Sequence, residues 1–173
     1  MSDYDAIVLL LGSDQPISQT QVVAWMRSED LRVLGALYVL TDKAWDRIQP
    51  PLDKDATCAF ILRYYMRCIQ EGPSSEEFVL SRYEAAHAMA RWIKHLWGKR
   101  PETDTDLQQV TTTLKQAYLQ GNDAVKGGLV NGVLEHVFEE RDLVELFQDW
   151  KQDGRLRCAY DAALEWGKAH WKV

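Results

Sequence analysis

The chain has 173 residues, 46% hydrophobic and 27% charged, with a formal net charge of −6. That length suits one domain (1–173) with one sizeable core, and the composition is too apolar for a disordered chain. The acidic balance excludes a general nucleic-acid binder, which needs a basic surface, and leaves a basic protein partner open.

No apolar run approaches the ~20 residues of a membrane helix. The longest near the start, "AIVLLL" at Ala6–Leu11, follows Asp3 and Asp5 rather than a basic stretch. It is therefore not read as a signal peptide, and a cytoplasmic location is expected. It is also the one segment that could form a short strand. Cys58, Cys68 and Cys158 include no Cys-x-x-Cys pair, so neither a disulfide framework nor zinc is expected.

Helical punctuation dominates from there. "SQTQVVAWMRS" and "EDLRVLGALYVLTDKAWDRI" read as helices that end before Pro50-Pro51, because proline breaks the backbone ladder. Leu31–Leu40 is apolar nearly all round, the mark of a central helix. Asp53 or Asp55 can cap a helix running to Gln70, with a stop near Gly72-Pro73. Ser74 and Glu77 have capping-box spacing, so "SSEE" is expected to begin the longest helix, ending at Trp97-Gly98. "PETDTD" starts another, which Gly121 stops. Asp123 can cap "AVKGGLVNGVLEHVFEE", a turn is expected near Glu140-Arg141, and Asp142–Gln152 and Arg155–Trp171 follow. These elements and their short connections predict an all-α antiparallel bundle of about seven or eight helices.

Five constellations carry candidate chemistry. Glu84-x-x-His87 is half of a di-iron bundle motif, but such a site needs a second copy and two more glutamates. At ~100° per residue, Glu84, His87, Arg91 and His95 face solvent, opposite Ala86, Met89, Ile93 and Leu96. Arg82 falls in the apolar stripe between Phe78, Ala86 and Met89. It is either a buried ion pair with a carboxylate from another helix or an anion site in a cleft. His136 and Glu140 form an i,i+4 pair, and two ligands do not make a metal site. No nucleophile elbow or phosphate-binding glycine loop occurs, and nothing calls for a cofactor. Of the seven tryptophans, most are expected in helix packing, with Trp171 partly exposed.

The fifth is an acidic edge. "NGVLEHVFEERDLVELFQDW", Asn131–Trp150, holds six acidic residues and one basic one, Arg141. Helical phasing turns Glu135, Glu139, Glu140, Asp142, Glu145 and Asp149 outward, where dense like charge is relieved by a cationic partner.

"SRYEAAHAMARWIKHLW", "VNGVLEHVFEERDLVELFQDW" and "AYDAALEWG", all in the second half, resemble a group of small, uncharacterised, all-helical bacterial proteins. Proteins of that kind are similar in character to toxin-immunity proteins. The resemblance implies a cytoplasmic inhibitor, of immunity or antitoxin type, whose acidic helical surface docks a basic protein partner. Two other readings stand beside it: a helical enzyme or small-ligand binder with a cleft near Arg82, and an inhibitor that mimics nucleic acid. Neither membrane nor direct nucleic-acid binding is expected.

Overall fold

The computed structural model describes residues 1–72 and 75–171. They are mostly helical, with one parallel ladder of two residues per strand. Among the described residues, no helix is long and apolar enough to cross a membrane. Contacts gather them into two compact units, one of residues 1–68 and 75–81, the other of 69–72 and 82–171.

In the first unit, "AIVLLL" lies in helix α1 (Asp3–Leu11), not in a strand. Ser2 and Asp5 form a reciprocal capping box that starts this helix, and Ile7 is fully buried where α1 meets α3. Helix α2 (Gln19–Trp25) and α3 (Leu31–Lys43) follow, the latter capped by Asp30. Burial of Val33, Leu34, Ala36, Leu37 and Leu40 on α3 matches its apolar circumference. The chain then makes a 3₁₀ turn, Trp45–Arg47, and pairs β1 (Ile17–Ser18) with β2 (Ile48–Gln49). Arg47 ties this region together, donating to the carbonyls of Leu10 and Gln15 at about 3 Å.

Helix α4 (Lys54–Glu71) is started by Asp53, whose Oδ2 accepts from the Ala56 amide at 2.9 Å. The Tyr64 hydroxyl on α4 donates to the Phe78 carbonyl at 2.9 Å and accepts from the Leu80 amide at 3.2 Å. Phe78 sits at φ 67°, which no right-handed helix contains. Ser74 lies outside the described residues, and so does Pro73. The segment from Glu76 to Leu80 is not the start of a helix as expected, because Tyr64 holds it as a loop. An added Cβ at Gly35 on α3 would lie 2.5 Å from the Phe78 carbonyl oxygen, so glycine is what lets the loop settle there.

The second unit begins with the last residues of α4. Helix α5 (Arg82–Trp97) has 16 residues, so α4, with 18, is the longer of the two. Helix α6 (Asp104–Gln120) ends at Gly121, as read. Asn122, not Asp123, caps the next helix, its Oδ1 accepting from the Val125 amide at 3.0 Å. This helix runs through α7 (Asp123–Gly127), a π-helical stretch (Gly128–Leu134) and α8 (Glu135–Phe138), with right-handed backbone at both junctions. The Glu135 amide donates to the Val130 carbonyl, five residues back. The π stretch is the element that meets α5 most extensively. An added Cβ at Gly132 would stand 2.5 Å from the Ala86 Cβ, and one at Gly128 would stand 3.0 Å from Arg82 side-chain carbons. Two glycines four residues apart therefore allow the close approach.

The expected turn falls at Glu140, which is extended (φ −96°, ψ 109°). A 3₁₀ helix (Arg141–Phe147), α9 (Gln148–Gln152) and α10 (Arg157–His170) complete the unit. Its core includes Met89, Ile93, Val133, Phe138, Phe147 and Trp150.

Candidate functional site

The acidic edge forms in the second unit with its apolar side inward. Val133, Leu134, Val137, Phe138, Leu143 and Phe147 are buried, while Glu140, Asp142, Glu145 and Asp149 are exposed. Glu135 and Glu139 are half-buried. Burial lifts the Glu135 carboxyl above its ordinary range, against the pull of His136 and His170. Burial acts the same way on Glu139, but hydrogen bonds from His136 and Lys94 outweigh it and hold that carboxyl low.

The edge carries more counter-ions than Arg141. Lys94 on α5 reaches Glu139 at 3.2 Å and Glu140 at 3.9 Å. Arg100 lies 3.5 Å from Glu145, and Lys115 on α6 lies 2.8 Å from Asp149. The sequence hides these partners because they lie more than thirty residues away along the chain. Largely exposed pairs contribute only ~0–1 kcal/mol each, so they trim the charge without removing the field. Among the described residues, Glu135 and Asp142 have no ion-pair partner.

A groove of about 730 Å³ opens along this edge. Glu139, Glu140 and Asp142 supply carboxylates, Trp97 and Trp171 supply aromatic surface, and Arg141 and His170 also line it. Both indoles are held. The Trp171 Nε1 donates to the Phe138 carbonyl at 2.8 Å, and the Arg100 guanidinium lies 4.1 Å from the Trp97 ring centre. Arg141 lies 5.5 Å from the Trp171 ring. Trp171 is half-buried; Trp45 and Trp166 are the more exposed, at 44% and 41%. Aromatic faces beside carboxylates favour a cation, by ring quadrupole and by charge-assisted hydrogen bonding.

A second concavity, of about 190 Å³, is lined by His87, Arg91 and Lys94 of α5 and by His136 and Glu139. The helical wheel placed His87 toward open solvent, but its ring meets that of His136, centres 4.5 Å apart and planes at 83°. Burial first, then the neighbouring His136 and Arg91, holds the His87 pKa below its usual 6.5. His136 Nδ1 lies 2.8 Å from a Glu139 oxygen, so its partner is at i+3 rather than the expected Glu140. An ionised carboxylate only accepts, so Nδ1 carries the hydrogen of that bond. Among the described residues, no three His, Cys, Asp or Glu side chains are grouped to hold a metal ion.

Arg82 is the first residue of α5 and half-buried. Its Nε donates to the Ile69 carbonyl at 2.8 Å, and an added Cβ at Gly72 (φ 90°) would stand 2.7 Å from its Nη2. A cation against the final carbonyls of α4, followed by a left-handed glycine, is a helix C-terminal cap. The groove and the smaller concavity are both lined by other residues. No family model matches the chain, and neither a curated protein nor a solved structure is significantly similar to it.

Proposed function

We propose that this chain is a cytoplasmic binding protein, an inhibitor of immunity or antitoxin type, that docks a basic protein partner through its acidic helical edge. The observation that carries this reading is the groove where Glu139, Glu140 and Asp142 meet Trp97 and Trp171. A flat acidic face attracts basic proteins without selecting among them. A concave site with carboxylates and indole faces can seat one lysine or arginine side chain, which is how hot spots concentrate affinity. Glu135, Glu145 and Asp149 extend the field around it and speed the encounter.

The test is titration of the full chain with an arginine-rich peptide, followed by tryptophan fluorescence and calorimetry. Raising salt from about 0.1 M to about 1 M shortens the Debye length from ~10 Å to ~3 Å. Affinity should fall with salt and collapse in a Glu140→Lys, Asp142→Lys double variant. Binding that ignores both salt and charge reversal overturns the reading.

A further inference from the structure

We infer that the smaller concavity between α5 and α8 binds a small oxyanion of phosphate type. Size sets the class of ligand. At ~30 Å³ per water, about 190 Å³ holds roughly six water volumes. That is below the ~300 Å³ at which drug-sized ligand pockets begin. The chemistry sets the sign. His87, Arg91 and Lys94 stand at i, i+4 and i+7 on α5, so one helix face presents all three nitrogen-bearing side chains. His136 faces them across the concavity.

Glu139 is the one carboxylate among its lining residues. Both of its oxygens are engaged, Oε1 by His136 and Oε2 by Lys94. Glu140 reaches the same lysine only at 3.9 Å, and Glu84 lies one turn back on α5. Among the described residues, Arg91 has no carboxylate partner, and it is exposed at the mouth. Lys94 is met by Glu139 and Glu140, so the positive charge left without a carboxylate contact is that of Arg91. Burial first, then His136 and Arg91, disfavour the His87 imidazolium, against the opposing pull of Glu139. A tetrahedral oxyanion at the Arg91 guanidinium would accept its paired N–H groups, a geometry that lysine alone does not offer. The same anion would relieve the repulsion at His87. This site shares Glu139 with the basic-partner groove, but His87, Arg91, Lys94 and His136 line only the smaller concavity.

The experiment uses the full chain and follows the His87 and His136 ring protons by NMR through a pH titration. Inorganic phosphate and glycerol phosphate are each compared with chloride at equal ionic strength. Phosphate should raise both histidine midpoints. Arg91→Gln should weaken binding by about tenfold or more, through loss of the charge-assisted paired contact, and His87→Gln should weaken it less. Because Arg91 is exposed, its variant keeps the fold, which circular dichroism verifies. A response to both probes assigns the site to free phosphate and esters alike, and a response to the ester alone assigns it to a terminal phosphate group. Midpoints identical in phosphate, ester and chloride overturn the inference, as does a phosphate shift that persists unchanged in Arg91→Gln. Neither variant touches the carboxylates of the groove, so this inference can fail while the groove reading stands.

Discussion

Replacing Gly132 by alanine tests the contact on which the second unit is built. The new Cβ would stand 2.5 Å from the Ala86 Cβ, whereas carbon atoms rest at about 3.5–4.0 Å. The obstacle is a methyl fixed to the α5 backbone, not the end of a flexible chain, so the two helices must part by about 1 Å. Overpacking of this kind costs ~1–3 kcal/mol, and the rigidity of both partners argues for the upper half. Alanine returns up to ~1 kcal/mol through helix propensity. The net is a loss of about 1–2 kcal/mol, or roughly 2–8 °C in Tm for a chain of this size. Gly127→Ala is the internal control, since nothing stands within 4 Å of its added Cβ and its backbone is already helical (φ −59°, ψ −45°). It should gain about 0.5–1 kcal/mol. Urea unfolding of both variants, read by tryptophan fluorescence, decides the matter. If Gly132→Ala is as stable as Gly127→Ala, the close approach of α5 and the π stretch is refuted.

Three further outcomes follow from the geometry. Tyr64→Phe removes the donor to Phe78 and the acceptor for Leu80; it should cost about 1–3 kcal/mol and speed amide exchange at Leu80. Arg82→Met should lower stability by about 1–2 kcal/mol through loss of the α4 cap, while leaving binding of basic peptides intact. His87 has a folded pKa below its usual 6.5, so the unfolded chain binds more protons between the two values and stability rises with pH there. The contribution is fully present above about 6.5 and is lost as pH falls toward the folded value. Stability measured from neutral to mildly acidic pH should therefore decline, and His87→Gln should flatten that part of the slope.

Most helix boundaries were legible because caps and breakers act locally. Asp53, Gly98 and Gly121 mark ends that the structure keeps. Apolar spacing set the inward side of α8 and of the following 3₁₀ helix, and it left Glu140, Asp142, Glu145 and Asp149 exposed, but Glu135 and Glu139, which it also turned outward, are half-buried. The failures have both local and long-range causes. "AIVLLL" has strand-like composition, and the Ser2–Asp5 box overrides it. The segment from Glu76 to Leu80 has helical composition, and a tyrosine fourteen residues back from Phe78 holds it as a loop. The candidate site was half visible. Its acids could be read, but Lys94, Arg100 and Lys115 come from other elements. The π stretch defeats wheel arithmetic, because i→i+5 turns hold more residues than the ~100° step assumes. His136 therefore meets His87 and bonds Glu139, a combination that spacing alone did not reveal.

The π stretch also gives this chain slack in its length. Deleting one residue from an ordinary helix turns everything downstream by about 100° relative to the core, which usually ruins packing. Between Gly128 and Leu134 each hydrogen-bonded turn already holds one residue more than an α-turn needs, so a deletion there can be absorbed by returning to α pairing. The helix would survive and its final turn would keep the same face toward the core, with Val137 and Phe138 still buried. His136 and Glu139 would stay opposite His87 and Lys94. This stretch is thus where a single-codon loss would be tolerated, a length buffer in the genetic sense rather than a mechanical hinge.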